Sequence, residues 1–223
     1  MKYSEIETYW NKNLCNGGNP TFPFRFFKGN KVLEIGCGSG IDAVRFIRVG
    51  AFYTGIDLTG NAVLSTKIKI GERGYVFKMN AELLDFPDDW FDLVYSFGVI
   101  HHTVNPQNVI NEAYRVLKKS GHICIMLYNK LSFRYLFDIM FIRKILWLIY
   151  YPKFNEIRKQ IPYPTKEQWI SINTDNIGCP LSKVYSKKQA LKLLEKFTIT
   201  KTWTENRGWF RILIGTKNEG KDL

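Results

Sequence analysis

The sequence predicts an α/β fold built on a doubly wound, mostly parallel sheet, and three observations carry that prediction. Short apolar runs alternate with helical stretches from Lys31 to Leu127. Glycines stand where those helices should stop. The first apolar run passes directly into a glycine-rich turn, Gly36-Cys-Gly-Ser-Gly40. Strand–helix–strand units at this spacing pair in parallel, because the chain must cross over the sheet before it can lay down the next strand.

The elements follow in order. Residues 1–30 predict a short amphipathic helix carrying Ile6, Tyr9 and Trp10, then a loop at Asn16–Pro20. Strands are expected at Val32–Ile35, Phe52–Ile56, Tyr75–Met79, Leu93–Phe97 and His122–Leu127. The helices between them are Ile41–Val49 closed by Gly50, Asn61–Arg73 closed by Gly74, and Pro106–Leu117 stopped near Gly121. Glycine ends helices because it enters the left-handed region without a Cβ clash. After Tyr128 the rhythm breaks. Leu131–Tyr151 reads as helical and Pro152–Pro180 as an irregular stretch. Ser186-x-x-Gln189 is a capping box opening a helix through Lys196. Thr198–Trp203 and Phe210–Gly215 then read as an antiparallel hairpin. Four segments result: 1–30 as a lid helix and loop, 31–128 as the core, 129–185 as an insertion, and 186–223 as the last helix and hairpin.

Composition narrows the function classes. With 45% hydrophobic residues, 16 Phe, 12 Tyr and 6 Trp, the chain carries enough apolar surface for a full core, which excludes wholesale disorder. Four cysteines without a repeated spacing exclude a disulfide framework and a zinc knuckle, and no metal site is expected. Glu5 and Glu7 interrupt what an export signal would need, so a cytoplasmic protein is expected. The most hydrophobic stretch, Phe133–Tyr151, is broken by Arg134, Asp138, Arg143 and Lys144, far short of the roughly 20 apolar residues that span a bilayer. Such a helix is either wholly buried, as in a lid, or lies on a membrane interface. The formal charge of +12 is uneven: residues 1–130 hold 15 basic and 12 acidic side chains, and 131–223 hold 17 and 8. The basic excess therefore belongs to the C-terminal part.

Glycines in the turn after the first strand allow a sharp bend and a ligand close to the backbone. In an open α/β sheet that turn faces the crevice at the carboxyl ends of the strands. A dinucleotide fold is one reading. However, the spacing is G-x-G-x-G, and Glu34 precedes it, which would repel a pyrophosphate and suits a ligand with a positive end.

Several segments then match one family in order: Leu33-Glu-Ile-Gly-Cys-Gly-Ser-Gly40, Gly55-Ile-Asp-Leu58, Asn80-Ala-Glu82, Phe86-Pro-Asp-Asp-Trp-Phe-Asp-Leu-Val-Tyr-Ser96, Gly98-Val-Ile-His-His102 and Glu112–Gly121. The chain resembles the class I S-adenosylmethionine-dependent methyltransferases, in the small-molecule branch that includes ubiquinone and menaquinone methyltransferases. The resemblance covers Lys31–Ile125 well and the terminal hairpin weakly. It implies a Rossmann-like, seven-stranded sheet and S-adenosyl-L-methionine as cofactor. It further implies that Glu34, the Gly36, Cys37, Gly38 and Gly40 turn and the Phe97 carbonyl hold the methionine end. Asp57 would take the ribose hydroxyls, and Asn80, Ala81 and Glu82 would lie at the adenine edge. Asn80 departs from the aspartate common at that position, which puts the amine contact in question. Leu58 and Leu83 either sandwich the purine or are ordinary core.

His101 and His102 follow the fourth strand. One of them either positions or deprotonates the methyl acceptor, or the pair packs the loop; His122 is expected to be structural. Acceptor contacts are expected from the variable parts, with Tyr128, Asn129, Asp175 and Tyr185 as candidates. Tyr9 and Trp10 would either face the sulfonium or pack a lid. The acceptor is expected to be a small molecule, apolar or anionic, with peripheral membrane contact as a further partner. Nucleic acid is the rival, attracted by the basic C-terminal part. Against it, Gly98-Val-Ile stands where base-modifying amino methyltransferases carry an Asn/Asp-Pro-Pro-aromatic motif, and Lys187, Lys188, Lys192 and Lys196 fit the solvated face of one helix. A non-catalytic cofactor-binding protein is the remaining alternative.

Overall fold

The computed structural model describes residues 22–149, 154–174, 179–205, 208 and 210–217. The expected N-terminal helix with Tyr9 and Trp10, and Asp175, lie outside the described residues. Seven strands form one sheet: β1 (Lys31–Ile35), β2 (Phe52–Asp57), β3 (Gly74–Lys78), β4 (Phe91–Phe97), β5 (Leu117–Tyr128), β6 (Phe197–Glu205) and β7 (Phe210–Lys217), in the order β3-β2-β1-β4-β5-β7-β6. The first five pair in parallel, and β7 runs antiparallel to both β5 and β6. This is the expected mostly parallel sheet closed by an antiparallel hairpin.

Both sheet faces are covered, so the central strands are apolar on successive residues rather than alternating. Val32, Tyr53, Tyr95, Cys124 and Met126 face one core. There they meet Ala43 and Phe46 of α1 (Ile41–Arg48) and Val63 and Ile70 of α2 (Gly60–Ile70). Leu33, Ile35, Val94, Ile123 and Ile125 face the other. They meet Val109, Ile110 and Ala113 of α3 (Pro106–Val116) and Ala190 and Leu193, which lie in a helix running Lys187–Leu193. That last helix is opened by the expected capping box, with the Ser186 hydroxyl accepting from the Gln189 N–H.

Several boundaries shift by a few residues, the second and last helices ending at Ile70 and Leu193, and two larger differences have a cause. α3 ends at Val116, one residue before the expected Leu117, but β5 begins at Leu117 and not at His122, because Leu117 pairs with Phe91 of β4. The stretch expected to be irregular holds two helices, Asn155–Gln160 and Lys166–Thr174. The second of these is ordered by packing: Trp169, Ile170 and Ile172 are buried, and the Trp169 indole donates to the Ile139 carbonyl at 2.9 Å. Before them a wide-turn (π) helix, Arg134–Ile142, continues as a short α-helix, Arg143–Leu148. It is not wholly buried, since only Tyr135 and Ile139 are fully covered.

The insertion enters and leaves at one point. Tyr185 N–H donates to the Tyr128 carbonyl at 2.8 Å, and Lys130 N–H donates to the Tyr185 carbonyl at 2.9 Å.

Candidate functional site

The chain order reverses beside β1, whose neighbours are β2 and β4, so the crevice of the sheet opens at the carboxyl ends of β1 and β4. The glycine turn lies there. Gly36 has φ +81°, and a Cβ on it would stand 2.1 Å from Val99 Cγ2, so only glycine lets the two strand ends meet this closely. Gly38 also has a positive φ, +52°, yet a Cβ there would meet nothing within 4 Å: its face is open. The turn is pinned from below. Gly36 and Cys37 N–H donate to the Ile56 carbonyl at 2.8 and 3.0 Å, and Gly38 N–H donates to Asp57 Oδ2 at 3.1 Å. Thr66 Oγ1 donates to the Gly38 carbonyl at 3.1 Å.

Glu34 sits under this turn and is buried. Its one hydrogen-bond partner is the Tyr53 hydroxyl, which donates to Oε2 at 2.5 Å, and no cation pairs with it among the described residues. Burial, with Asp42 and Asp57 nearby, pushes its carboxyl up to about 8 despite the tyrosine. The Tyr53 contact was not foreseen from sequence, but its signal was present. Gly55 is the register partner of Glu34, and a Cβ at Gly55 would fall 2.3 Å from the Tyr53 hydroxyl. A tyrosine two residues before a glycine, on the same strand face, reaches across the gap where the side chain is missing. A second unforeseen pair lies alongside, with the Tyr95 hydroxyl donating to Asp42 Oδ2 at 2.8 Å.

Asp57 ends β2 with both oxygens occupied from inside: Oδ2 by Gly38, and Oδ1 by the Thr59 N–H and hydroxyl at 2.9 Å each. Each carboxylate oxygen has two acceptor sites, so these three contacts aim the group and leave one site, on Oδ2, for a ligand hydroxyl. Leu58 and Leu83 are 67% and 77% exposed. They are therefore not core. Asn80 Oδ1 accepts from the Glu82 N–H at 2.9 Å, forming a turn, and the Ala81 N–H makes no hydrogen bond among the described residues. Glu82 is engaged elsewhere: its two oxygens accept from the Asn105 N–H and side-chain amide at 2.9 and 3.0 Å, which also lowers its carboxyl below the ordinary range. It organises the loop entering α3 instead of offering a free carboxylate to the adenine edge. Cys37 is buried with its thiol raised to about 11, a packing group in the turn. Phe97 is partly exposed at the end of β4 and stacks on Tyr95.

The histidines divide. His101 is fully buried between Tyr128, whose ring centroid lies 3.8 Å away, and His102, at 4.1 Å. Neither ring nitrogen has a hydrogen bond of good geometry, and burial with the neighbouring His102 holds it well below the usual histidine range, the Met126 carbonyl opposing weakly. It is a neutral packing ring. His102 is half-buried, with Nδ1 3.0 Å from the Leu181 carbonyl and 2.9 Å from the Ser182 hydroxyl. A carbonyl at Nδ1 selects the Nδ1–H tautomer and leaves the lone pair on Nε2. Ser182 comes from the insertion, whose contribution here sequence patterning does not show.

Of the acceptor candidates, Tyr128 is buried against His101, and Tyr185 is partly buried with its hydroxyl raised to about 12 by burial. Asn129 is a correction. Its amide donates to the Gly208 and Leu131 carbonyls at 2.7 and 3.3 Å, and its oxygen accepts from Leu131 N–H and Arg211. A buried amide with these partners is an architectural tie between insertion and hairpin, and it has no donor left for an acceptor molecule.

The residues present fit S-adenosylmethionine. An open glycine face, a buried carboxylate without a counter-cation and a carboxylate aimed by its own turn match an ammonium, a sulfonium and a ribose. Two exposed leucines beside an unpaired N–H match a purine. The fold is that of the class I S-adenosylmethionine-dependent methyltransferases. Residues 33–125 match the family model described as a methyltransferase domain, and this segment of the chain is such a domain. The ubiquinone biosynthesis O-methyltransferase of Photobacterium profundum is 28% identical over 142 residues, covering 62% of this chain and 60% of that one. A phosphatidylethanolamine N-methyltransferase of Cereibacter sphaeroides is 32% identical over 104 residues, covering 44% and 51%. The chain thus spans about three fifths or less of the length of these relatives. Among solved structures, an S-adenosylmethionine-dependent methyltransferase from Mesorhizobium loti superposes with a TM-score of 0.64 at 14% identity, covering 86% of this chain and 92% of that one. At that identity the likeness speaks to the fold.

Proposed function

We propose that this chain transfers a methyl group from S-adenosylmethionine to a small molecule of apolar or anionic character. The observation that carries the proposal is the glycine turn clasped between Val99 and Asp57 over the buried, cation-less Glu34. That arrangement suits a ligand whose methionine end is positive, since an ammonium beside Glu34 favours the ionised carboxylate. The relatives bearing methyltransferase names for ubiquinone biosynthesis and phosphatidylethanolamine support the acceptor class.

When bound, S-adenosylmethionine supplies an electrophilic methyl group. The chain's residues do the rest. Glu34, the Gly36–Gly38 backbone and the Phe97 carbonyl hold the methionine end, and Asp57 holds the ribose. Asn80 and Ala81 meet the adenine edge, with Leu58 and Leu83 on its faces. On the acceptor side, His102 presents Nε2 as the proton acceptor because Leu181 and Ser182 hold Nδ1. Positioning is worth roughly 7–11 kcal/mol, whereas a base adds about a hundred- to ten-thousand-fold, so alignment outweighs His102.

Calorimetry tests the reading. S-adenosylhomocysteine should bind and NAD should not. Asp57→Ala should weaken that binding at least tenfold. His102→Ala should leave it intact and slow transfer of an isotope-labelled methyl group into the small-molecule fraction of a cell extract. NAD binding in place of S-adenosylhomocysteine would end the proposal, and label recovered in RNA would move it to the nucleic-acid class.

A further inference from the structure

The helix running from Phe133 to Ile149 has two unlike faces. Tyr135 and Ile139, four residues apart, are buried in the core cluster that holds Trp169 and Ile170. Phe133, Phe137 and Phe141, also four apart, are exposed, Phe133 by 71%, and their rings stack in a row with centroids 5.0 and 5.9 Å apart. Leu136, Ile145 and Leu148 continue the exposed apolar surface. Residues four apart are neighbours on a helix surface, which lets the three rings stack in a row.

An exposed aromatic ladder of this length costs solubility unless it has a partner, and the surrounding charge says which kind. Asp138, the one acidic residue on the helix, is held by Arg143 at 3.0 Å. Lys144, three residues beyond Phe141, is exposed and makes no ion pair among the described residues. Beside it opens a pocket of about 470 Å³ lined by Met140, Lys144, Trp147, Leu148, Lys166 and Trp169. Lys166, like Lys144, is exposed and without an ion pair among the described residues. Apolar rings, tryptophans and unpaired lysines on one surface match the layering of a bilayer interface, where acyl chains, carbonyls and anionic headgroups follow within a few ångströms. The wider C-terminal part adds to the field, with 17 basic against 8 acidic residues in 131–223. A second copy of the chain is the poorer occupant, because a two-fold contact would bring the same unpaired lysines together in a desolvated interface.

We propose that this face docks on an anionic bilayer surface, the ladder entering the headgroup–acyl boundary and Lys144 and Lys166 meeting lipid phosphates. The inference stands beside the methyltransferase reading and not on it, since cofactor affinity is measured separately. Sedimentation with extruded phosphatidylglycerol–phosphatidylcholine vesicles, against vesicles of phosphatidylcholine alone, is the test. Protein should partition onto the anionic vesicles and not the neutral ones, and added salt should release it. Phe137→Ser with Phe141→Ser should weaken partitioning by roughly tenfold or more, since tenfold is about 1.4 kcal/mol and one phenyl group buries more than that. Lys144→Glu should weaken it through an exposed side chain. Three results would overturn the proposal: no partitioning onto anionic vesicles, equal partitioning of all variants, or a dimer in light scattering that the phenylalanine substitutions dissolve.

Discussion

Glu34→Gln should make the ligand-free protein more stable, and more so as pH rises. The carboxyl is buried, has the Tyr53 hydroxyl as its hydrogen-bond partner, and titrates at about 8 instead of the ordinary 4.5. A folded state that holds a proton more tightly than the unfolded chain loses stability as pH rises. The loss begins near the unfolded value and levels off only above the folded one. Between 4.5 and about 8, ionising this group costs the fold about 3 kcal/mol by pH 7 and about 5 kcal/mol above pH 9. Glutamine keeps the acceptor for Tyr53 and removes the ionisation. The variant should therefore match the native protein near pH 4.5 and melt roughly 6–12 °C higher at pH 7, by the usual sensitivity of a domain this size. Thermal unfolding followed by circular dichroism from pH 5 to 9 measures it. A second readout uses calorimetry in two buffers of different ionisation enthalpy. At pH 7 the native protein should release about 0.9 proton on binding S-adenosylhomocysteine, because an ammonium beside Glu34 favours the carboxylate, and the glutamine variant should release none. Parallel stability curves for the two proteins, or a variant weaker at pH 9, would refute the reasoning.

The remaining expectations concern neighbouring residues. Gly36→Ala and Gly38→Ala both place a side chain at positive φ, but only the first drives a Cβ into Val99. Gly36→Ala should cost several kcal/mol in urea denaturation and Gly38→Ala about 1 kcal/mol, whereas Gly38→Ala should show its larger effect in cofactor affinity. Arg115 bonds Glu112, Asp88 and the carbonyls of Leu84 and Phe86, so Arg115→Ala should destabilise by about 2–3 kcal/mol, and lysine, lacking the planar fork, should not rescue it. Asn129→Ala should cost about 1–3 kcal/mol by stranding the Gly208 carbonyl. It should leave S-adenosylhomocysteine affinity unchanged, which separates its architectural role from any contact with ligand.

The alternating half of the fold was legible because its signals are local. Val32–Ile35 running into Gly36 names a strand, a turn and a crevice within nine residues, and Ser186 with Gln189 names a helix start within four. The insertion was not legible, because its order comes from afar. Lys166–Thr174 has little periodic apolar pattern, and it becomes a helix through Trp169 reaching Ile139, 30 residues away. The site divides in the same way. Asp57 and the glycines announce themselves by spacing. That Glu82 spends its carboxylate on Asn105, that Ser182 holds His102, and that Asn129 binds the hairpin all depend on contacts between distant segments. Leu58 and Leu83 show the middle case: residue type leaves core and ligand contact open, and exposure excludes the core.

The paired hydrogen bonds between Tyr128, Lys130 and Tyr185 give the insertion a single doorway into the sheet. A segment whose two ends already touch can be shortened, lengthened or exchanged at little entropic cost, since the loop it closes changes free energy only logarithmically with its length. Residues 131–184 are therefore exchangeable at one doorway: a foreign insertion of another length could fill it, provided it replaces the core packing of Tyr135 and Ile139 and the hold of Leu181 and Ser182 on His102. Acceptor choice and cofactor use would then be separately inherited properties of one polypeptide. A chimera that keeps its affinity for S-adenosylhomocysteine while changing what it methylates is the natural product of such an architecture.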